Sequence, residues 1–479
     1  MATPIPINQC EFTLTEVVEA TGGILVRGSS DSEIVRGVSI DTRSLAAGAL
    51  FVTLHGAASD GHDYLSQAAA RGAIAAIVAT GRHHAGLDCI EVGDTLEALG
   101  RLARHHLART RTARTVPVIG IGGAVGKTTT KELTAAVVRA LFGSTLSTPG
   151  NLNNLIGVPM TIFTLTGEHR AAVLECGTNT RGEIPRLAQI VEPDVAMVLN
   201  VDLEHSEGLG TLDDIADEEA ALFSTARRCA VASADEPMVI VRIPKDLHRI
   251  TFGKSANAHV RLASRSVGAR SRIRVELARA MVAEGVDPFI ETEIALLGEA
   301  AALNCTAAIA GVAAMRAAPL EARELIAIGG ALAKVQPVAG RLASTSVNGI
   351  FVIDDTYNSN PRSIRAALAA AREVADGLGA RLVIAMGDML ELGEQSAAAH
   401  QEAIRDVKRA RPAAFVAVGD EMNSACAAIQ RDANAPDIVT APDSVAASNI
   451  VSGLVRPGDV LLVKGSRGIA MERIIERLG

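Results

Sequence analysis

The stretch that most constrains this chain is VIGIGGAVGKTTTKE, Val118 to Glu132, where an apolar run passes through a glycine-rich turn into a helix-forming segment. Val116 to Ile121 reads as a buried strand and Lys131 to Leu141 as a helix. Such a turn aims backbone N–H groups inward at the positive end of the following helix, which makes an anion cradle. Lys127 is placed to reach β- and γ-phosphates, and the Thr128 hydroxyl to ligate Mg²⁺. The general pattern asks for glycine five residues before Gly126, where Ile121 stands; glycine falls at 120, 122, 123 and 126 instead. A glycine-rich turn with an incidental lysine would share these glycines. Strand, turn, Gly-Lys-Thr and helix in that order favour nucleotide binding.

The rest of the chain repeats the alternation of strand and helix. Its 479 residues suggest about three domains. Residues 1–112 alternate short β-like runs (GILV, GVSI, ALFVTL, AIAAIV) with turns. Residues 113–336 form a long α/β stretch opened by the phosphate loop. Residues 337–479 start again with GIFVIDD, RLVIAMGDM, AFVAVGD and DVLLVKGS, separated by helical patterns such as PRSIRAALAAAREVA. Strands alternating with helices imply a mostly parallel sheet with ligands at the strands' carboxyl ends.

Composition narrows the class. No apolar run approaches the roughly 18–20 residues that span a bilayer, and the first residues lack a basic region followed by an apolar core. Six scattered cysteines without a CxxC pair fit reduced structural thiols. The expectation is a cytoplasmic protein without membrane insertion. A net charge of −8 argues against a nucleic-acid partner. The exception, RLARHHLARTRTAR at 101–114, lacks aromatic residues for stacking and reads as a helix end running into a solvated linker.

Downstream of the loop, STPGNLNNLIGVPMTIF gathers Asn151, Asn153 and Asn154, amides suited to a polar ligand or to a capped turn before a helix. AAVLECGTNTRGEI puts Glu175 at the end of an apolar strand, where its carboxylate can hold Mg²⁺ opposite Thr128. DVAMVLNVDLEHSEGLG ends another strand and presents His205 and Glu207. A loop histidine is commonly structural; its place after a second strand beside the phosphate loop makes it a metal-ligand candidate.

Taken together, these segments resemble the Mur ligases of peptidoglycan synthesis over essentially the whole chain. Within them the match is to the branch that joins D-alanyl-D-alanine to a UDP-N-acetylmuramoyl-tripeptide. GVSIDTRSLAAGALFVTLHGAASDGHDYLSQAAARGA resembles a uridine-nucleotide-binding domain. GNLNNLIGVP, LECGTNTRGEI and HSEGLGTLDDIA resemble the central ATPase domain. DDTYNSNPRSIRAAL, AMGDMLELGEQS and LLVKGSRGIAME resemble the carboxyl-terminal domain, with DDTYNSNP the most specific of them. The family's own loop, Gly-x-x-Gly-Lys-Thr, corresponds to Gly123–Thr128.

The resemblance implies a three-domain α/β architecture with a central P-loop ATPase domain and a Rossmann-like third domain. It implies ATP and Mg²⁺ as cofactors, small-molecule substrates and a monomer. By position, it assigns Gly123, Ala124, Val125, Gly126, Lys127, Thr128 and Thr129 to ATP, with Asn304 near the adenine. Lys127, Glu175, His205 and Arg341 become the catalytic candidates, and Thr128, Glu175 and His205 the metal ligands. Asp355, Tyr357, Asn358 and Asn360 would reach the nucleotide and the incoming dipeptide. Thr42, Arg43 and Ser44 would lie near the uridine nucleotide, with Asn151, Asn153 and Asn154 on the substrate side.

Three positions depart from the family. Its polar pair in the loop is Ala124-Val125 here, its His-Asn pair before Asn304 is Ala300-Ala301, and its carbamylated lysine corresponds to Glu219. Glu219 is thus a candidate metal ligand, the alternative being that DDIADEEAALF is simply an acidic first helical turn. The competing functional classes are a non-catalytic nucleotide-binding homologue and a ligase adding a different amino acid.

Overall fold

The computed structural model describes residues 3–26, 34–56, 59–203, 206–266, 271–429 and 437–479. Three sheets carry the architecture, one per expected segment. In the first, strands at Val38–Ser39, Leu50–Val52, Ala75–Ala79 and Asp88–Val92 run parallel, and Ile24–Val26 closes the far edge antiparallel. The third has a parallel body of Ile350–Asp355, Val460–Lys464, Leu382–Gly387, Ala414–Val418 and Asp437–Ala441, with Ala343–Val347 antiparallel at its edge.

The nine-stranded central sheet positions the phosphate loop. Its loop strand, Val118–Gly122, lies between Ala171–Glu175 and Val195–Val198, parallel to both. Every residue of these strands is buried, as expected of a parallel sheet covered on both faces. Alternate side chains enter different cores. Val118, Leu174 and Val198 join one apolar cluster with Leu102 and Leu187; Ile119, Val173 and Met197 join another with Val137 and Ile309. The first cluster also contains Phe12, Val35 and Leu99, so the N-terminal segment shares a core with one face of the central sheet.

Two expectations are corrected here. The basic run is a helix end, as expected, but not the start of a solvated linker: residues 101–113 are the C-terminal part of helix Thr95–Ala113, capped by Asp94 at its start and closed by Arg114. Its arginines clasp this helix to its surroundings. Arg111 Nη2 lies 2.6 Å from Asp194 Oδ2, and Nη1 donates to the Glu192 carbonyl at 2.8 Å. Arg104 pairs with Glu192, and Arg109 pairs with Glu16 while covering the Phe12 ring. Second, an apolar run of spanning length does exist. Helix Gly298–Met315 is long and apolar enough by length and composition to cross a bilayer, yet most of it is buried against the central sheet and helix Lys127–Phe142.

The third segment docks on the second through Arg265–Glu373, Arg362–Glu236 and Arg365–Asp202. Ser206 Oγ also donates to the Leu392 carbonyl at 3.1 Å. All six cysteines are buried and unpaired. Burial pushes the Cys305 thiol up to about 12.

Candidate active site

Parallel register brings three strand ends to one edge. Glu175 stands opposite Ile121, and Val198 opposite Gly122, so Glu175 and the residues after Val198 flank the start of the loop. The loop then turns into helix Lys127–Phe142, with Gly126 as its N-cap in a left-handed conformation. The amides of the first helical turn have no intrahelical acceptor.

Lys127 Nζ donates to the carbonyls of Gly123 at 2.6 Å and Ala124 at 3.1 Å, which holds the ammonium across the loop. Thr128 is buried, and its hydroxyl donates to Glu175 Oε1 at 3.0 Å. Asn153 Nδ2 donates to the same oxygen at 2.9 Å. Glu175 is 1 % exposed, and its Oε2 is buried with no hydrogen-bond partner among the described residues. A buried anionic oxygen left over beside a hydroxyl is costly unless a cation satisfies it. Thr128 and Glu175 therefore fit a hard divalent ion that keeps part of its water shell. Among the described residues, no group of three or more His, Cys, Asp or Glu forms a metal cage. His205 lies outside the described residues.

Glu219 is 3 % exposed, and its Oε2 accepts from the Gly123 N–H at 2.6 Å. The acidic first turn of helix Leu212–Ala220 is Asp213 and Asp214, so Glu218 and Glu219 belong to its last turn, on the buried side. Glu218 accepts from Gly182 N and Ile184 N and so holds the start of helix Glu183–Val191. The alternative of an acidic first helical turn therefore holds for Asp213 and Asp214 and not for Glu218 or Glu219.

Sequence reasoning missed Asn200. Its Oδ1 accepts from Val125 N at 2.8 Å, its Nδ2 donates to Val125 O at 2.8 Å, and its own carbonyl accepts from Ala124 N at 3.0 Å. The available signal was a polar residue closing the apolar run VAMVLN, next to the loop strand. Asn304, on helix Gly298–Met315, lies against the loop itself: a methyl group on Gly126 would come within 2.8 Å of its Oδ1. Thr129 is half-buried on the first turn of the loop helix.

Of the neighbouring amides, only Asn153 reaches Glu175. Asn151 Oδ1 accepts from Thr3 Oγ1 at 2.7 Å, tying in the N-terminal residues, and Asn154 caps helix Gly157–Ile162 through Gly157 N at 2.8 Å. Thr42, Arg43 and Ser44 form a turn after strand Val38–Ser39. Thr42 donates to Gln67, Ser44 Oγ reaches the Asp41 carbonyl, and Arg43 makes a forked pair with Asp41. The hydrogen bonds from Arg43 hold the Asp41 carboxyl below the usual range.

The third-domain candidates form their own group. The Arg341 guanidinium lies 4.1 Å from the Tyr357 ring centroid, and Arg467 lies 5.4 Å from it. Asp355 is buried: Oδ2 takes a 2.6 Å hydrogen bond from the fully buried Lys464, and Oδ1 accepts from Leu342 N. Lys464, also missed, donates in addition to the Asn358 carbonyl at 3.0 Å. Asn358 Oδ1 accepts from Ser359 N, and Asn360 caps helix Pro361–Leu378 with Ser363 in a reciprocal box.

Comparison with known proteins identifies the family. Three family models match, described as Mur ligase family, catalytic domain (residues 34–107), Mur ligase middle domain (121–312) and Mur ligase, glutamate ligase domain (340–467). The UDP-N-acetylmuramoyl-tripeptide–D-alanyl-D-alanine ligase of Treponema pallidum is 31 % identical across 97 % of this chain and 98 % of its own. The Escherichia coli enzyme of that name is 32 % identical, across 92 % and 93 %. A crystal structure of MurF from Acinetobacter baumannii superposes with a TM-score of 0.86 at 27 % identity, covering 98 % of this chain and 99 % of that one. MurF of Thermotoga maritima, solved with ADP, has a TM-score of 0.77 at 24 % identity over 92 % and 96 %, a likeness of fold. With the phosphate loop, the buried Thr128–Glu175 pair and full-length relatives of this kind, the chain belongs to the Mur ligase family.

Proposed function

We propose that this protein is an ATP-dependent ligase that joins D-alanyl-D-alanine to a UDP-N-acetylmuramoyl-tripeptide, releasing ADP and phosphate. The observation that carries the reading is the phosphate loop with Thr128 and the partnerless buried oxygen of Glu175, in a chain collinear with full-length relatives of that name. We read residues 1–112 as the uridine-nucleotide domain, 113–336 as the ATP domain and 337–479 as the ligase domain of a cytoplasmic monomer.

The substrate carboxylate attacks the γ-phosphorus of ATP, forming an acyl phosphate and ADP. The neutral amine of the dipeptide then attacks that acyl carbon and expels phosphate through a tetrahedral intermediate. Lys127 and the amides at the start of helix Lys127–Phe142 stabilise the charge that grows on the transferring group. Thr128 and Glu175 would hold Mg²⁺, which when bound would neutralise phosphate charge. The third domain brings Arg341 and Tyr357 toward the reacting groups, and its closure excludes water that would hydrolyse the intermediate.

The test is an ADP-release assay with each component omitted in turn. ADP is expected only when ATP, Mg²⁺, a UDP-N-acetylmuramoyl-tripeptide and D-alanyl-D-alanine are all present. Full-rate ADP release without peptide would identify a plain ATPase. Ligation of another amino acid in preference to the dipeptide would move the chain to another branch of the family.

A further inference from the structure

The phosphate loop contains no polar side chain between Gly123 and Gly126, because Ala124 and Val125 are apolar. Its shape has to be held through its backbone. Every N–H and C=O of residues 123 to 125 has a partner. Glu219 takes the Gly123 N–H, the Asn200 carbonyl takes the Ala124 N–H, and the Asn200 side chain takes both groups of Val125. Lys127 Nζ takes the remaining two carbonyls.

We infer that Asn200 and Glu219 are the positioning residues of the nucleotide site, a side-chain amide and a carboxylate that fix the loop from outside. Asn200 bonds both backbone groups of a single residue, as a neighbouring strand would, and so extends the sheet's pairing one step past the end of strand Val195–Val198. Glu219 fixes the loop's entry. It reaches the Gly123 amide from a sequence distance of 96 residues and is itself fully enclosed. A consequence follows for the ligand. The amides of 123 to 125 are turned onto protein acceptors, so a phosphate is left with those that follow, at the N-terminal end of a 16-residue helix. Glu219 thereby acts on the nucleotide through the loop.

This inference rests on the nucleotide reading above, and two measurements separate them. The first is amide hydrogen exchange over residues 119–130 of the full chain without nucleotide, which does not depend on ATP. N200A and E219A are expected to speed exchange at positions 123 to 125 by tenfold or more, while thermal unfolding reports whether each variant is folded. The second is equilibrium binding of a fluorescent N-methylanthraniloyl-ATP with Mg²⁺. Both alanine variants are expected to bind roughly tenfold more weakly, the scale of one to two net hydrogen bonds. E219Q keeps an acceptor for Gly123 and is expected to restore both readouts to within about threefold of the parent. Unchanged loop exchange in folded N200A and E219A overturns the inference. So does an equal rise in Mg²⁺ requirement in E219Q and E219A with no change in exchange, which would make Glu219 a cation ligand. A parent protein that binds no nucleotide would defeat the nucleotide reading alone, and the exchange result would still decide the roles of Asn200 and Glu219.

Discussion

The Thr128 hydroxyl and Asn153 Nδ2 converge on one oxygen of Glu175, at 3.0 and 2.9 Å, and leave the other oxygen enclosed with no partner among the described residues. The two donors orient the carboxylate, and the second oxygen is the group that a cation would satisfy. Glu175→Gln keeps size and one acceptor but removes the charge. It is expected to raise the Mg²⁺ concentration for half-maximal ADP release by tenfold or more, with thermal stability equal to or above that of the parent. An unchanged Mg²⁺ dependence would show that this oxygen holds no metal.

Much of this geometry was legible in the sequence, and the reasons are specific. An apolar run ending in a charged residue, as in AAVLE, marks a buried strand whose last side chain reaches the ligand edge. Glu175 was found that way. Pairings across long sequence distances were not legible. The basic run looked like a linker because its complements, Glu16, Glu192 and Asp194, lie about 80 or more residues away. Among three clustered asparagines, nothing in one dimension says that Asn153 meets Glu175 while Asn154 caps a helix. Asn200 was passed over because its role is to bond backbone, which carries no sequence signature.

His106 makes the shared core of the first two segments sensitive to acid. Burial, with help from the nearby Arg109 charge, pushes its pKa down from 6.5 to about 4, against the raising effect of the Leu165 carbonyl 3.1 Å from Nε2. The folded protein thus keeps His106 neutral, while the unfolded chain takes up a proton below its ordinary value. This contribution is fully present above pH 6.5 and is lost as pH falls toward 4. At pH 5 the loss is about 2 kcal/mol. Urea unfolding of the parent and of His106→Gln at pH 7 and pH 5 checks it, with a smaller pH effect expected in the variant. Equal pH effects would remove His106 from the account.

Lys464 and Asp355 form a buried ion pair at 2.6 Å that also fixes the Asn358 carbonyl, and with it the turn carrying Tyr357 and Asn360. Lys464→Met strands a buried carboxylate and is expected to cost about 3–5 kcal/mol. Replacing both partners, as Lys464→Met with Asp355→Leu, is expected to recover most of that stability while ligation stays impaired, because the turn loses its anchor. Denaturant unfolding followed by circular dichroism, paired with the ADP-release assay, tests both statements. If the double variant were no more stable than Lys464→Met, the uncompensated charge would not be the cause.

Gly126 and Gly182 offer a matched pair at two helix starts. Both cap a helix with nearly the same backbone, φ +91° and ψ −1° at Gly126, φ +89° and ψ −1° at Gly182. A side chain at either is strained in that conformation, at a cost on the order of 1 kcal/mol or more. Their surroundings differ. A methyl group at 182 meets nothing within 4 Å, while one at 126 comes within 2.8 Å of Asn304 Oδ1. Gly182→Ala therefore isolates the backbone cost: a modest fall in stability, with nucleotide binding retained. Gly126→Ala adds the collision and pushes the loop helix and Asn304 apart at the proposed phosphate cradle. Its nucleotide affinity is expected to fall at least tenfold beyond any loss in Gly182→Ala. Binding of N-methylanthraniloyl-ATP alongside urea unfolding of both variants separates the two contributions. Equal affinities in the two variants would mean that contact with Asn304 does not shape the site.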